Sequence, residues 1–146
     1  MSKPYLNAGL AHPVANELDA PYWQGLSEEV LRIQQCVHCA GWQWGPEWVC
    51  HHCLSDEVTF VEVAPEGVIY SYERVWHPVH PALADQGPYL VVLVSLPQAG
   101  NVRLVGNLLG DPMQEVRIGA RVKGVFEHHL DGQPAFSLLQ WCIHSD

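Results

Sequence analysis

Basic residues are scarce in this chain: seven lysines and arginines stand against sixteen acidic residues, for a formal charge of −9. A nucleic-acid binder relies on cationic side chains to displace phosphate counterions, so nucleic-acid binding drops to a minor alternative. Charged residues of either sign make up only 16% of the chain, where about a quarter is usual for a soluble domain. No run of 18 apolar residues exists, so no membrane-spanning helix is expected. Met1–Leu6 carries one lysine and no apolar core, so it does not read as a secretory leader. The expectation is a cytoplasmic protein whose thiols stay reduced, without disulfides. Internal repeats and low-complexity segments are absent as well.

What is present is apolar and aromatic. The 146 residues are 48% hydrophobic and include six tryptophans. A globule of this size buries roughly 70% of its unfolded surface and folds on its own core. Sparse charge combined with many indoles points to a surface partly covered by another protein.

Four of the five cysteines form two pairs, Cys36-x2-Cys39 and Cys50-x2-Cys53, with ten residues between them. Two such turns joined by a short hairpin offer four thiolates in the tetrahedral arrangement Zn2+ prefers. A four-thiolate site has no open coordination position, so its role is to brace the chain. The same sulfurs also suit iron, and the residues alone leave that choice open. A redox pair needs one reactive Cys-x2-Cys at a helix N-terminus, whereas both pairs here sit in strand-rich sequence. Cys142 lies in an apolar run near the C-terminus and reads as a buried free thiol.

Along the chain, an extended arm is expected over residues 1–18. Asp19-Ala20-Pro21 reads as the start of a short helix, with Asp19 as its cap and Gly25 weakening its end. Residues 30–35 alternate, with Leu31 and Ile33 on one face and Arg32 and Gln34 on the other, and read as a strand entering Cys36. The zinc ribbon is placed at 30–60, after an N-terminal arm and helix at 1–29. Trp42, Trp44 and Trp48 lie between its knuckles. A ten-residue hairpin cannot bury three indoles within itself, so they pack on the neighbouring barrel or on a partner.

From residue 58 the strand signal is continuous, in runs 58–63, 67–76, 89–96, 102–109, 120–128 and 135–141 separated by turn residues. Asp131-Gly132 suits a tight hairpin. Five or six strands without a long helix indicate a small barrel at 61–146, for which the five-stranded OB fold is the best fit in size. The fold class is thus mainly β: short helix, zinc ribbon, OB barrel. The loop from His77 to Pro88 holds three prolines, which lower the cost of ordering it on a partner.

These segments, in this order, resemble a bacterial and archaeal family in which a rubredoxin-like zinc ribbon is fused to an OB fold. The resemblance rests on Tyr22-Trp23, the four cysteines, Gly67-Val68-Ile69-Tyr70-Ser71-Tyr72, Pro88-Tyr89-Leu90-Val91, Gly106-Asn107-Leu108 and Val116-Arg117-Ile118-Gly119. It covers residues 20–141. It implies a structural Zn2+ on Cys36, Cys39, Cys50 and Cys53, and a partner that is a thiolase-fold enzyme. Family members act as accessory subunits of acyltransferase and related acyl-CoA complexes; one is the small subunit of a phloroglucinol-type acyltransferase. The alternative is an OB domain that binds an acyl or acyl-CoA group. Two departures stand out: Ala40 replaces the usual Gly after the first knuckle, and Gly45-Pro46-Glu47 replaces a Pro-Pro-Arg stretch.

Nine histidines invite an active-site reading. Adjacent strand residues face opposite ways, so His128 and His129 do not converge on one site. His77 and His80 sit in the proline loop without a carboxylate or third ligand. These histidines read as facing solvent or a partner, and no catalytic residue is assigned. The partner-facing candidates are Trp42, Trp44, Trp48, His77 and His80.

Overall fold

The computed structural model describes residues 4–6 and 10–145. The arm expected over 1–18 is therefore seen only in part, residues 1–3 and 7–9 lying outside the described residues. Helix α1 runs Ala20–Ser27 with Pro21 in its first turn and buries Tyr22, Gly25 and Leu26. Asp19 precedes it, but its side chain does not cap the helix. Its carboxylate instead accepts the Asn16 N–H at 2.8 Å, while Asn16 Oδ1 accepts the N–H groups of Leu18 and Asp19. The Asn16 turn thus takes the capping carboxylate away from the helix. At the other end the Val30 N–H bonds the Gly25 carbonyl at 2.8 Å and the Glu29 N–H bonds the Leu26 carbonyl at 3.2 Å. This is a Schellman stop with Glu29 in the left-handed position, φ 61°.

The ribbon sheet has strands β1 (Leu31–Cys36), β2 (Trp42–Gln43) and β3 (Val58–Val63) in the order β2-β1-β3, all antiparallel. The barrel follows with β4 (Glu66–Val75), β5 (Tyr89–Leu96), β6 (Val102–Asn107), β7 (Arg121–His129) and β8 (Phe136–Ile143). Their order is β6-β5-β4-β7-β8, and each neighbour pair is antiparallel. The two outer strands meet through a parallel bridge between Leu108 and Trp141, where the Leu109 N–H donates to the Trp141 carbonyl at 2.7 Å. That bridge nearly closes the sheet into the five-stranded OB topology expected. Close approach at this seam requires Gly106, where a Cβ would lie 2.8 Å from the Trp141 ring and 2.9 Å from the Leu139 carbonyl.

The hairpin at Asp131-Gly132 is longer than expected: β7 ends at His129 and β8 begins at Phe136. Pro134 has no N–H to donate to a ladder, so strand pairing resumes only beyond it.

Alternation sorts β5 as far as Val94, beyond which Ser95 and Leu96 are both buried. Leu90, Val92, Val94 and Leu96 are fully buried and line the barrel. They form one cluster with Ile69, Leu104, Leu139 and Trp141 of the barrel, Leu31 and Ile33 of β1, and Tyr22 and Leu26 of α1. Helix, ribbon sheet and barrel therefore share a single core.

Candidate functional site

The metal centre sits where β1 runs into the first knuckle. One sulfur from each of Cys36, Cys39, Cys50 and Cys53 lies within 4.8 Å of the others. The Cys36–Cys53 pair is 3.7 Å apart and the Cys39–Cys50 pair 3.6 Å. A zinc ion bonded at about 2.3 Å to four sulfurs needs tetrahedron edges of about 3.8 Å, so the donor set fits. Each knuckle aims backbone N–H groups at its first sulfur: His38 and Cys39 on Cys36 at 3.3 and 3.4 Å, and His52 on Cys50 at 3.4 Å. Each knuckle also turns through a left-handed residue just after its second cysteine, Ala40 (φ 61°) and Leu54 (φ 64°). Ala40 adopts the conformation that glycine usually provides at this position.

The thiols are electrostatically unequal. The N–H of Cys39, aided by that of His38, lowers the Cys36 pKa. The N–H of Cys53 leads in bringing Cys50 down to about 7. On Cys39 the Gly41 N–H pulls downward, but desolvation and the neighbouring sulfurs outweigh it and push the thiol up to about 12. On Cys53 the Ser55 N–H pulls downward, but desolvation and the sulfurs of Cys36 and Cys50 outweigh it and raise the thiol. Four thiols this close do not all ionise unless a cation balances them, and supplying that balance is what a bound zinc does.

Two buried glutamines hold the second knuckle in place. Gln34 accepts the Glu47 N–H at 3.0 Å and donates to the Glu47 carbonyl at 2.9 Å. Gln43 donates to Gln34 Oε1 at 2.5 Å and to the Val49 carbonyl at 3.1 Å, and accepts the His51 N–H at 3.0 Å. Every polar group of both side chains is engaged, mostly with the backbone of residues 47–51.

The three ribbon tryptophans part company. Trp42 packs on the barrel, where a Cβ at Gly100 would lie 3.0 Å from its ring. Trp44 packs on Tyr22 of α1, ring centroids 4.4 Å apart. Trp48 is exposed. His77 and His80 are exposed in the proline loop. His80 Nδ1 accepts the Ala82 N–H at 3.1 Å and caps the short turn Pro81–Leu83.

His128 and His129 do point opposite ways, but they are not simply solvent-facing. His128 bridges Ser137 Oγ at 2.6 Å and Glu29 at 3.1 Å, tying the end of α1 to the barrel. His129 is buried, 2.7 Å from Glu127, and stacks on Phe136. Gln140 donates to the same carboxylate at 3.1 Å, and the Tyr5 N–H reaches it at 3.4 Å. The arm, through Leu6 and Leu10–Pro13, covers this cluster over a cavity of about 130 Å³. Nothing in the local sequence marks Glu127 as buried, because its cover lies more than a hundred residues away. Among the described residues no helix is long and apolar enough to cross a membrane.

Known proteins share this plan. The model of the ChsH2 rubredoxin-like zinc ribbon domain matches residues 23–59, and that of the ChsH2 C-terminal OB-fold domain matches residues 60–127. A chain of the Ltp2–ChsH2(DUF35) aldolase is 32% identical, with a TM-score of 0.77 over 90% of this chain and 98% of that one. The chain belongs to the ChsH2/DUF35 family. A DUF35 protein of unknown function from Sulfolobus solfataricus shares the fold at 17% identity, with a TM-score of 0.58 over 85% of this chain and 83% of that one. A probable enoyl-CoA hydratase alpha subunit of Thermomonospora curvata is 36% identical over 110 residues, 75% of this chain and 33% of that protein. The chain thus spans about a third of the length of this curated relative. The ribbon match and the four-sulfur geometry together make the cofactor a structural zinc.

Proposed function

We propose that this chain is a non-catalytic accessory subunit that binds a thiolase-fold enzyme and stabilises a multi-subunit complex forming or cleaving carbon–carbon bonds by acyl transfer. The observation that carries this reading is the likeness, along nearly its whole length, to a chain of an aldolase assembly. The chemistry of the metal centre supports it, since four thiolates leave zinc no open position for a substrate. The buried polar groups agree: the two ribbon glutamines and the Glu127–His129 pair are engaged with the protein itself. In this reading the catalytic groups belong to the partner, and the assembly works in the cytoplasm, where the thiols stay reduced.

The test is to purify the thiolase-fold enzyme with and without this chain. The reading expects a larger assembly and higher activity when the chain is present. Equal activity together with equal assembly size in the two samples would sink it.

A further inference from the structure

We infer that the tip of the ribbon is the docking surface, and that the partner meets it with an apolar socket rimmed by lysine or arginine. The inference rests on the accessory-subunit reading and specifies its contact.

Four large apolar side chains stand exposed around the metal cluster: Val37 at 63% of full exposure, Trp48 at 63%, Val49 at 43% and Leu54 at 75%. Val37 follows Cys36, Leu54 follows Cys53, and the two sulfurs are 3.7 Å apart. Val49 precedes Cys50, which puts the Trp48-Val49 step beside the same centre. Scattered single hydrophobes need no explanation, but four around one rigid knuckle pair amount to a patch.

The patch is also held in shape before any partner arrives. Zinc fixes both knuckles, and Gln34 and Gln43 bind the backbone on either side of Trp48 at Glu47 and Val49. A tryptophan presented on a rigid loop loses little entropy when it enters a socket, which is how binding hot spots act.

Charge selects the occupant. Glu47, Asp56 and Glu57 are exposed beside the patch, and the Glu57 carbonyl bonds the Val37 N–H at 2.8 Å. From Ile33 to Glu73 the sequence contains no lysine or arginine, and the ribbon's Arg32 pairs with Glu28 at 3.0 Å and Glu62 at 3.7 Å rather than with these acids. A second copy of this chain would bring the same acids and be repelled, as would an anionic membrane or nucleic acid. A protein face with an apolar centre and a basic rim satisfies both features, and its charge would steer association.

Surface plasmon resonance against the immobilised thiolase-fold enzyme tests the inference. Trp48→Ala should weaken binding about thirtyfold, chiefly through faster dissociation. The triple variant E47K/D56K/E57K should slow association and flatten its dependence on salt. Trp76→Ala removes an exposed indole of the barrel and should bind as the wild type does. Zinc content and far-UV circular dichroism confirm that each variant is folded. Wild-type affinity in Trp48→Ala would overturn the docking surface while leaving the accessory reading intact. An unchanged association rate in the triple variant would overturn the basic rim. Failure of the wild-type chain to bind at all would overturn the accessory reading, and the docking surface with it.

Discussion

At the scale of single residues, the ribbon depends as much on amides as on sulfur. Gln34 and Gln43 are 2% and 1% exposed, and together they close five hydrogen bonds around the second knuckle. Gln43→Ala orphans the His51 N–H and the Val49 carbonyl. It should cost about 2–3 kcal/mol, read from the urea midpoint, and speed zinc loss to a chelator. The thiols make a second prediction. Cys36 and Cys50 have pKa values lowered from 9.0, so their contribution is present above pH 9 and is lost as pH falls, for Cys50 through about 7. Cys39 and Cys53 are raised and keep their protons near pH 8 until zinc displaces them. Calorimetry in buffers of different ionisation heat should therefore show at least about two protons released per zinc at pH 8, those of Cys39 and Cys53, and more below pH 7 as Cys50 is protonated too. The cysteines were legible in the sequence because metal chemistry dictates their spacing. The glutamines were not, because Gln34 alternates with Ile33 and reads as a solvent-facing residue until the 47–51 loop covers it.

At the scale of elements, the strands were the legible part of the fold. β3 and β5 occupy the expected runs 58–63 and 89–96, since β-branched stretches bounded by Gly and Pro leave little choice. The misjudged pieces were ends and caps. Asp19 loses its capping role to a turn made by Asn16, and the 130–135 loop is lengthened by a proline. Barrel closure also escaped the local pattern, because it depends on a parallel contact between segments 33 residues apart, seen where the Asn107 N–H meets Gln140 Oε1. Closure rests on Gly106, whose missing Cβ lets β6 approach the Trp141 ring. Gly106→Ala should destabilise the barrel by about 1–3 kcal/mol in a urea titration, since a backbone carbonyl and a fully buried indole must both give way. A variant as stable as the wild type would show that the seam is looser than drawn.

At the scale of the whole molecule, the shared core decides how the modules answer to metal loss. Leu31 and Ile33 of the ribbon sheet pack in the same cluster as Leu90, Val92 and Trp141 of the barrel. Chelation should therefore loosen the knuckles and also lower the unfolding temperature of the barrel, on the order of 5–10 °C, while the strand signal persists at 25 °C. Barrel unfolding unmoved by chelator would show the two modules to be independent. The acidic charge belongs to this scale too, favouring a basic protein surface and disfavouring nucleic acid. In the proposed function the chain is a brace within a larger enzyme. The decisive measurement is native mass spectrometry of the zinc-loaded chain mixed with the proposed thiolase-fold partner. One hetero-oligomer carrying one zinc per copy of this chain is the expected result. Two unmixed species, each at its own mass, would contradict it.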